Sequence, residues 1–208
     1  LMVRAGAPLS WADYVSRGIG GWARQYGCDF TPSGYLEEGS HVRLGNRDMT
    51  VVSVPGHTPW CILLYDEDHR IAFTGDFLLH HISSNPIVQR PSVVPNGYGS
   101  LKALIASLKK VRLMGLRLAL PGHGSLIEEP NVRIEELLRL IHDRKSLVYE
   151  MLCAGRQPLF HMVLKLFPNI RKEELFLGIS EVIGHLEVLE EEGKVVREDG
   201  DSLGFHVC

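Results

Sequence analysis

Three short apolar runs in this chain each end in a glycine-containing loop that carries a metal-capable side chain. Thr50 to Val54 stops at Pro55-Gly56, which delivers His57 and Thr58. Ile71 to Phe73 breaks at Gly75 and presents Asp76, and Leu118-Ala119-Leu120 runs into Pro121-Gly122-His123-Gly124. Neutral imidazole with carboxylate suits zinc, and also iron or manganese, better than calcium or magnesium. A histidine after a glycine is ordinarily a loop residue, and Gly-Asp is a common turn. Two Pro-Gly-His loops and a strand-terminal Gly-Asp in one chain are a much rarer coincidence.

The elements that must hold these residues are strands. β-branched and apolar runs bounded by Gly, Pro and acidic turns predict strands at His41–Leu44, Thr50–Val54, Cys61–Tyr65, Ile71–Phe73 and Arg117–Leu120. Strands that are neighbours in one sheet bring their ends to one edge, so His57, Asp76 and His123 are expected to converge. Glycine lets the backbone turn there without a side-chain clash. Ser100 is expected to cap an amphipathic helix with Leu101, Leu104, Ile105, Leu108 and Val111 on one face, stopped at Gly115. Helix, strand and ligand loop in succession give an α/β fold.

PGHT, TGD and PGHG, in that order and each after a strand, resemble the later metal-binding motifs of the metallo-β-lactamase-fold hydrolases. The resemblance is to the glyoxalase-II-like and β-lactamase-like branch that carries a C-terminal winged-helix domain. It implies an αββα sandwich and a centre of two zinc ions, with iron or manganese as alternatives. His57 would complete the first metal site, Asp76 would bridge both metals and serve catalysis, and His123 would belong to the second. The implied activity is ester or thioester hydrolysis of a small molecule. The family's earlier His-x-His-x-Asp-His string is not found in this sequence. The expectation is therefore the second lobe of the fold with its tail, inactive alone, as residues 1–130, followed by a linker helix and winged-helix-like domain over 131–208. A non-catalytic scaffold and an RNA-processing endonuclease of the same fold are the alternatives.

Elsewhere the signals are plainer. Ser10 is expected to cap a helix from Trp11 to about Arg17 that fails at Gly18, Gly20 and Gly21. Trp22, Tyr26 and Phe30 then form an aromatic connector covering the sheet. After Asp76 the stretch from Phe77 to Gly99 has no periodicity and reads as a long loop. Within it His80, His81 and Tyr98 are candidates to orient substrate or support a ligand. The tail predicts a helix capped by Asn131 through about Cys153, a second over Leu159–Phe167, a third over Lys172–Glu192, and a hairpin turning at Glu198-Asp199-Gly200-Asp201. Arg144 is either within reach of an anionic substrate near the lobe junction or an ordinary helix-surface arginine.

The 208 residues carry a formal net charge of -3. That gives no electrostatic reason to bind nucleic acid or anionic membranes. The third tail helix, SEVIGHLEVLEEEG, has the wrong sign for phosphates. Packing against the hydrolase lobe, dimerisation, or narrowing of the active-site mouth is the expected role of the tail. Four cysteines without C-x-x-C spacing suit reduced thiols in the cytoplasm. No apolar run approaches a membrane span, and no signal peptide is visible in the sequence.

Overall fold

A computed structural model of the chain describes residues 1–90, 92–94, 97–198 and 200–208. Seven strands are assigned: β1 (His41–Leu44), β2 (Arg47–Ser53), β3 (Ile62–Asp66), β4 (Ile71–Gly75), β5 (Leu118–Pro121), β6 (Val195–Glu198) and β7 (Gly204–Val207). The α-helices are α1 (Leu9–Tyr26), α2 (Ser100–Met114), α3 (Pro130–Cys153), α4 (Leu159–Leu166) and α5 (Leu175–Glu191). The backbone divides into two compact units, residues 34–143 and residues 1–33 with 144–208.

The first unit is built on one five-stranded sheet in the order β1-β2-β3-β4-β5. β1 to β4 are antiparallel neighbours, and β5 lies parallel to β4 with Ala72 opposite Ala119 and Phe73 opposite Leu120. A parallel neighbour requires a crossover, which the segment containing α2 supplies. Two antiparallel steps and one parallel step leave β2, β4 and β5 running the same way. Their C-terminal ends therefore share one edge, as the loop spacing predicted. One face of the sheet is closed over Val52, Leu63, Ala72, Thr74 and Ala119, all buried. α2 buries Leu101, Leu104, Leu108 and Val111 and stops at Gly115 in the left-handed conformation. It is tied to the end of β2 where Ser107 Oγ donates to the Pro55 carbonyl at 2.8 Å and Lys110 Nζ to that of Ser53 at 3.2 Å.

At the opposite edge of the sheet Asp66 is buried, with its carboxylate held by the His69 imidazole at 2.9 Å and by the Arg47 guanidinium. The His69 hydrogen bond first, and the Arg47 contact with it, lower its pKa to about 2 against a burial effect of opposite sign. A carboxyl whose folded pKa lies below its unfolded value stabilises the native state above the unfolded pKa and loses that contribution as pH falls. Denaturant midpoints are thus expected to decline as pH falls from near 4 toward 2. Asp66→Asn, measured over the same range, should show a shallower decline; an unchanged slope would remove this pair as its source.

The second unit joins α1 to the tail. Trp11 meets the Phe160 ring edge-on at 5.6 Å, and the Tyr14 hydroxyl donates to Glu173 at 2.7 Å. Phe160 N–H donates to the Ala5 carbonyl, and Leu203 N–H to that of Arg4. The first 33 residues group with the tail because α1 packs on it, and the boundary falls inside α3, between Asp143 and Arg144.

Several local expectations are corrected. α1 does not fail at Gly18, Gly20 and Gly21 but runs 18 residues, and Ser10 lies inside it behind Pro8. Each interior glycine costs about 1 kcal/mol relative to alanine, which tertiary contacts at Trp11, Ala12, Tyr14 and Val15 offset. Trp22, Tyr26 and Phe30, expected as a covering connector, are all three exposed. Ser100 is the first residue of α2 and its hydroxyl turns away to the Ile87 carbonyl at 2.7 Å, leaving Gly99 as the cap. α3 begins at Pro130, where proline's fixed φ and missing N–H suit a first turn, so Asn131 is internal. The expected third tail helix opens as a 3-10 turn, Lys172–Glu174, before α5. Arg144 is not available to a substrate: it pairs with buried Glu181 at 2.8 Å and lies over the Phe167 ring. Burial pushes Glu181 upward, but His185 and Arg144 outweigh it and hold the carboxyl below its usual range. β6 and β7 form the expected hairpin, with Asp199 of its turn outside the described residues. The segment Phe77–Gly99 contains no helix or strand among its described residues, and Pro91, Pro95 and Asn96 lie outside them. Among the described residues no helix is long and apolar enough to cross a membrane.

Candidate metal centre

The shared edge of β2, β4 and β5 brings His57, Asp76 and His123 together. His57 follows Gly56, whose φ is +147° and whose α-carbon presses on α2: a β-carbon there would sit 2.5 Å from the Leu104 α-carbon. Only glycine allows the loop to pass so close to the helix. Asp76 follows a register shift in the β4–β5 pairing between Phe73 and Gly75. Such irregularities re-aim a strand-end side chain. Buried Thr74 fastens this turn, its hydroxyl donating to the Leu78 carbonyl at 3.0 Å. His123 arrives through Gly122, whose N–H donates to the Gly75 carbonyl at 2.9 Å. A β-carbon on Gly122 would stand 3.0 Å from Asp76 Oδ1, so the two loops touch by means of that glycine.

The geometry at the carboxylate is specific. His57 Nε2 lies 3.8 Å from Asp76 Oδ2, and His123 Nε2 lies 3.6 Å from Asp76 Oδ1. Both distances are too long for a hydrogen bond and short enough for each nitrogen–oxygen pair to ligate one ion. His57 Nδ1 donates to the Asn85 backbone carbonyl at 2.8 Å. A carbonyl only accepts, so the neutral ring carries its proton on Nδ1 and turns the Nε2 lone pair toward the carboxylate. Two electron-rich atoms then face each other, an arrangement that a cation between them resolves. A ligating histidine held by a carbonyl at its other nitrogen is the usual outer support of a metal site. Each imidazole addresses a different carboxylate oxygen. Accordingly no three His, Cys, Asp or Glu side chains among the described residues enclose one common point. The side chains of His57, Asp76 and His123 are 21%, 47% and 58% exposed, so the site opens to solvent most widely at His123.

The family model for the metallo-β-lactamase superfamily matches residues 15–123, just over half of the chain and all three of these positions. The chain belongs to the metallo-β-lactamase superfamily. It is similar to the probable metallo-hydrolase YqjP of Bacillus subtilis, with 31% identity over 184 residues, 88% of this chain and 57% of that one. It is also similar to the acyl-coenzyme A thioesterase MBLAC2 of Gallus gallus, 41% identical over 58 residues, 27% of this chain and 21% of that one. A β-lactamase domain protein from Burkholderia ambifaria has the same fold, with a TM-score of 0.81 and 25% identity over 99% of this chain and 61% of that one. The chain thus spans little more than half the length of YqjP. The relatives it is similar to include a probable metallo-hydrolase and an acyl-coenzyme A thioesterase.

Within this superfamily member the remaining candidates lie elsewhere. His80 and His81 stack at 4.0 Å between ring centroids and line a cavity of about 530 Å³ with Ile127, Glu128, Glu129 and Arg133. Tyr98 is half-buried ahead of α2, and burial raises its hydroxyl pKa. Two contributors escaped the sequence. The Asn85 carbonyl is a backbone atom and carries no residue signature. Arg133 holds loop carbonyls described below; its one signal is a cation in the first turn of α3, where the helix dipole disfavours positive charge.

Proposed function

We propose that this chain carries part of a dinuclear zinc centre of a hydrolase acting on small thioesters or esters. What supports the assignment most is the Asp76 carboxylate, faced on its two oxygens by the Nε2 atoms of His57 and His123 while the His57 proton is committed to Asn85. The donor set fits: borderline nitrogen and oxygen ligands suit zinc, and iron or manganese next. When bound, the metals supply Lewis acidity and a hydroxide nucleophile at neutral pH. The residues contribute the rest. Asp76, His57 and His123 would hold the ions; the Asn85 carbonyl keeps the neutral His57 ring in the tautomer with Nε2 free to ligate, and His123 is the most exposed of the three.

Thioesters are favoured over other acyl groups because a relative is named as an acyl-coenzyme A thioesterase. The layout of α3, α4, α5 and the β6–β7 hairpin supports reading the tail as a winged helix. Residues 178–186 of α5 are all buried, and with acidic residues toward its end this helix is ill suited to a DNA groove. Packing or self-association is its role here. Cys28, Cys61, Cys153 and Cys208 are free, in keeping with a reducing, cytoplasmic setting.

The test is metal content by mass spectrometry together with hydrolysis of acyl-coenzyme A and acyl-glutathione thioesters after zinc loading. Zinc bound in wild type and lost in His57→Asn and His123→Asn is the expected result. A folded wild-type chain that takes up no zinc, iron or manganese overturns the metal reading. Zinc uptake without turnover by this chain alone is the outcome its partial ligand set predicts; absence of turnover also in a version extended to the length of its relatives removes the hydrolase.

A further inference from the structure

Arg133 links α3 to the loop that supports the metal centre. Its Nε donates to the Leu79 carbonyl at 2.9 Å and its Nη2 to the Ile82 carbonyl at 3.0 Å, while Nη1 meets Glu136 at 3.0 Å. The side chain is 15% exposed, so these charge-assisted bonds are largely shielded from water. Leu79 lies three residues after Asp76, and Ile82 lies three residues before Asn85, the residue whose carbonyl receives the His57 proton. The same loop is fastened beyond Asn85, where Ile87 N–H donates to the His57 carbonyl at 3.3 Å and Ser100 Oγ donates to the Ile87 carbonyl. Between Asp76 and these later ties, Arg133 is the charged side chain that holds the loop by two carbonyls at once.

We infer that Arg133 is a positioning residue for the centre: by clamping the Leu79 and Ile82 carbonyls it sets where the Asn85 carbonyl stands, and through it the tautomer and direction of His57. The inference rests on the assignment of His57 as a metal ligand. The planar guanidinium matters because one rigid group must reach two carbonyls separated by three residues. Lysine, a single charge on a flexible stem, cannot hold both in fixed directions. A residue that acts only by filling space would stabilise the fold without governing the His57 proton.

The tautomer of His57 is read by two-bond proton–nitrogen correlation spectra of the metal-free chain, and zinc affinity by competition with a chromophoric chelator. Wild type is expected to show His57 protonated on Nδ1 alone. Arg133→Met should give a mixture of tautomers and weaken zinc binding by about tenfold, the lower end of what loss of an outer support costs. Arg133→Lys should fall between the two. Glu136→Gln, which leaves both carbonyl contacts in place, should match wild type. Should Arg133→Met fail to fold, Arg133→Lys decides alone. A folded Arg133→Lys with a wild-type tautomer and wild-type zinc affinity overturns the inference, whatever its thermal stability. The two failures are separable. Loss of the tautomer in a chain that never binds zinc removes the metal reading and keeps the role of Arg133. Zinc binding abolished by His57→Asn but untouched in the Arg133 variants does the reverse.

Discussion

Asp76→Asn is expected to abolish zinc uptake while leaving the metal-free chain at least as stable as wild type. The substitution keeps the side chain's size and replaces with an amide the carboxylate that would hold both proposed ions. For the zinc complex this is a loss at both positions, because each imidazole shares that one carboxylate. The affinity should fall by on the order of a hundredfold or more, beyond the cost of losing an outer support. For the metal-free chain the sign reverses. The neutral amide removes the negative charge that faces the Nε2 lone pair of His57 across 3.8 Å. Thermal unfolding with and without zinc separates the two effects. A ligand at one hundred times its dissociation constant stabilises by about 2.7 kcal/mol, and that increment should vanish in the variant. An Asp76→Asn chain that still gains stability from zinc would show that the ion binds elsewhere.

Gly56→Ala carries the largest expected loss of stability. Its β-carbon would stand 2.5 Å from both the α-carbon and β-carbon of Leu104 and 2.7 Å from that residue's backbone nitrogen. Backbone atoms in the first half of α2 cannot step aside as a flexible side chain can. With φ at +147°, the loop would also be strained whatever the space. Overpacking and strain together should cost about 3 kcal/mol or more in chemical denaturation. Gly115→Ala is the comparison: its φ is +62°, nothing lies within 4 Å of the added carbon, and about 1 kcal/mol is expected. Equal losses at the two sites would show that contact with α2 is not what Gly56 serves. Because Ser100 and Ser107 of α2 also fasten the loops around His57, Gly56→Ala should weaken zinc binding in the fraction that folds.

The convergence of His57, Asp76 and His123 was legible because each sits at a fixed offset from a strand that announces itself by β-branched and apolar residues. Strand direction needed only the count of hairpins before the crossover. What escaped was carried by other kinds of information. Ser10, Ser100 and Asn131 all have the chemistry of a helix cap, yet each lies inside its helix. At Ser100 the hydroxyl found a better partner in Ile87, and at residue 130 proline had already begun the turn. The three glycines of α1 read as a stop because propensity is local, whereas the contacts of Trp11 and Tyr14 that retain the helix come from residues more than 140 positions away. Arg144 and Arg133 looked alike as helical arginines. Only coordinates show one spent on Glu181 and the other on the loop behind Asp76.

β5 closes one side of the sheet, and beyond it a single backbone bridge runs from Ala119 to Ile127. His123 therefore hangs on the most weakly tethered strand of the three, whereas His57 and Asp76 come from strands paired on both sides. Local opening at a sheet margin requires far less free energy than opening at its centre. Withdrawal of the His123 imidazole at the rim is thus expected to need less free energy than displacement of His57 or Asp76.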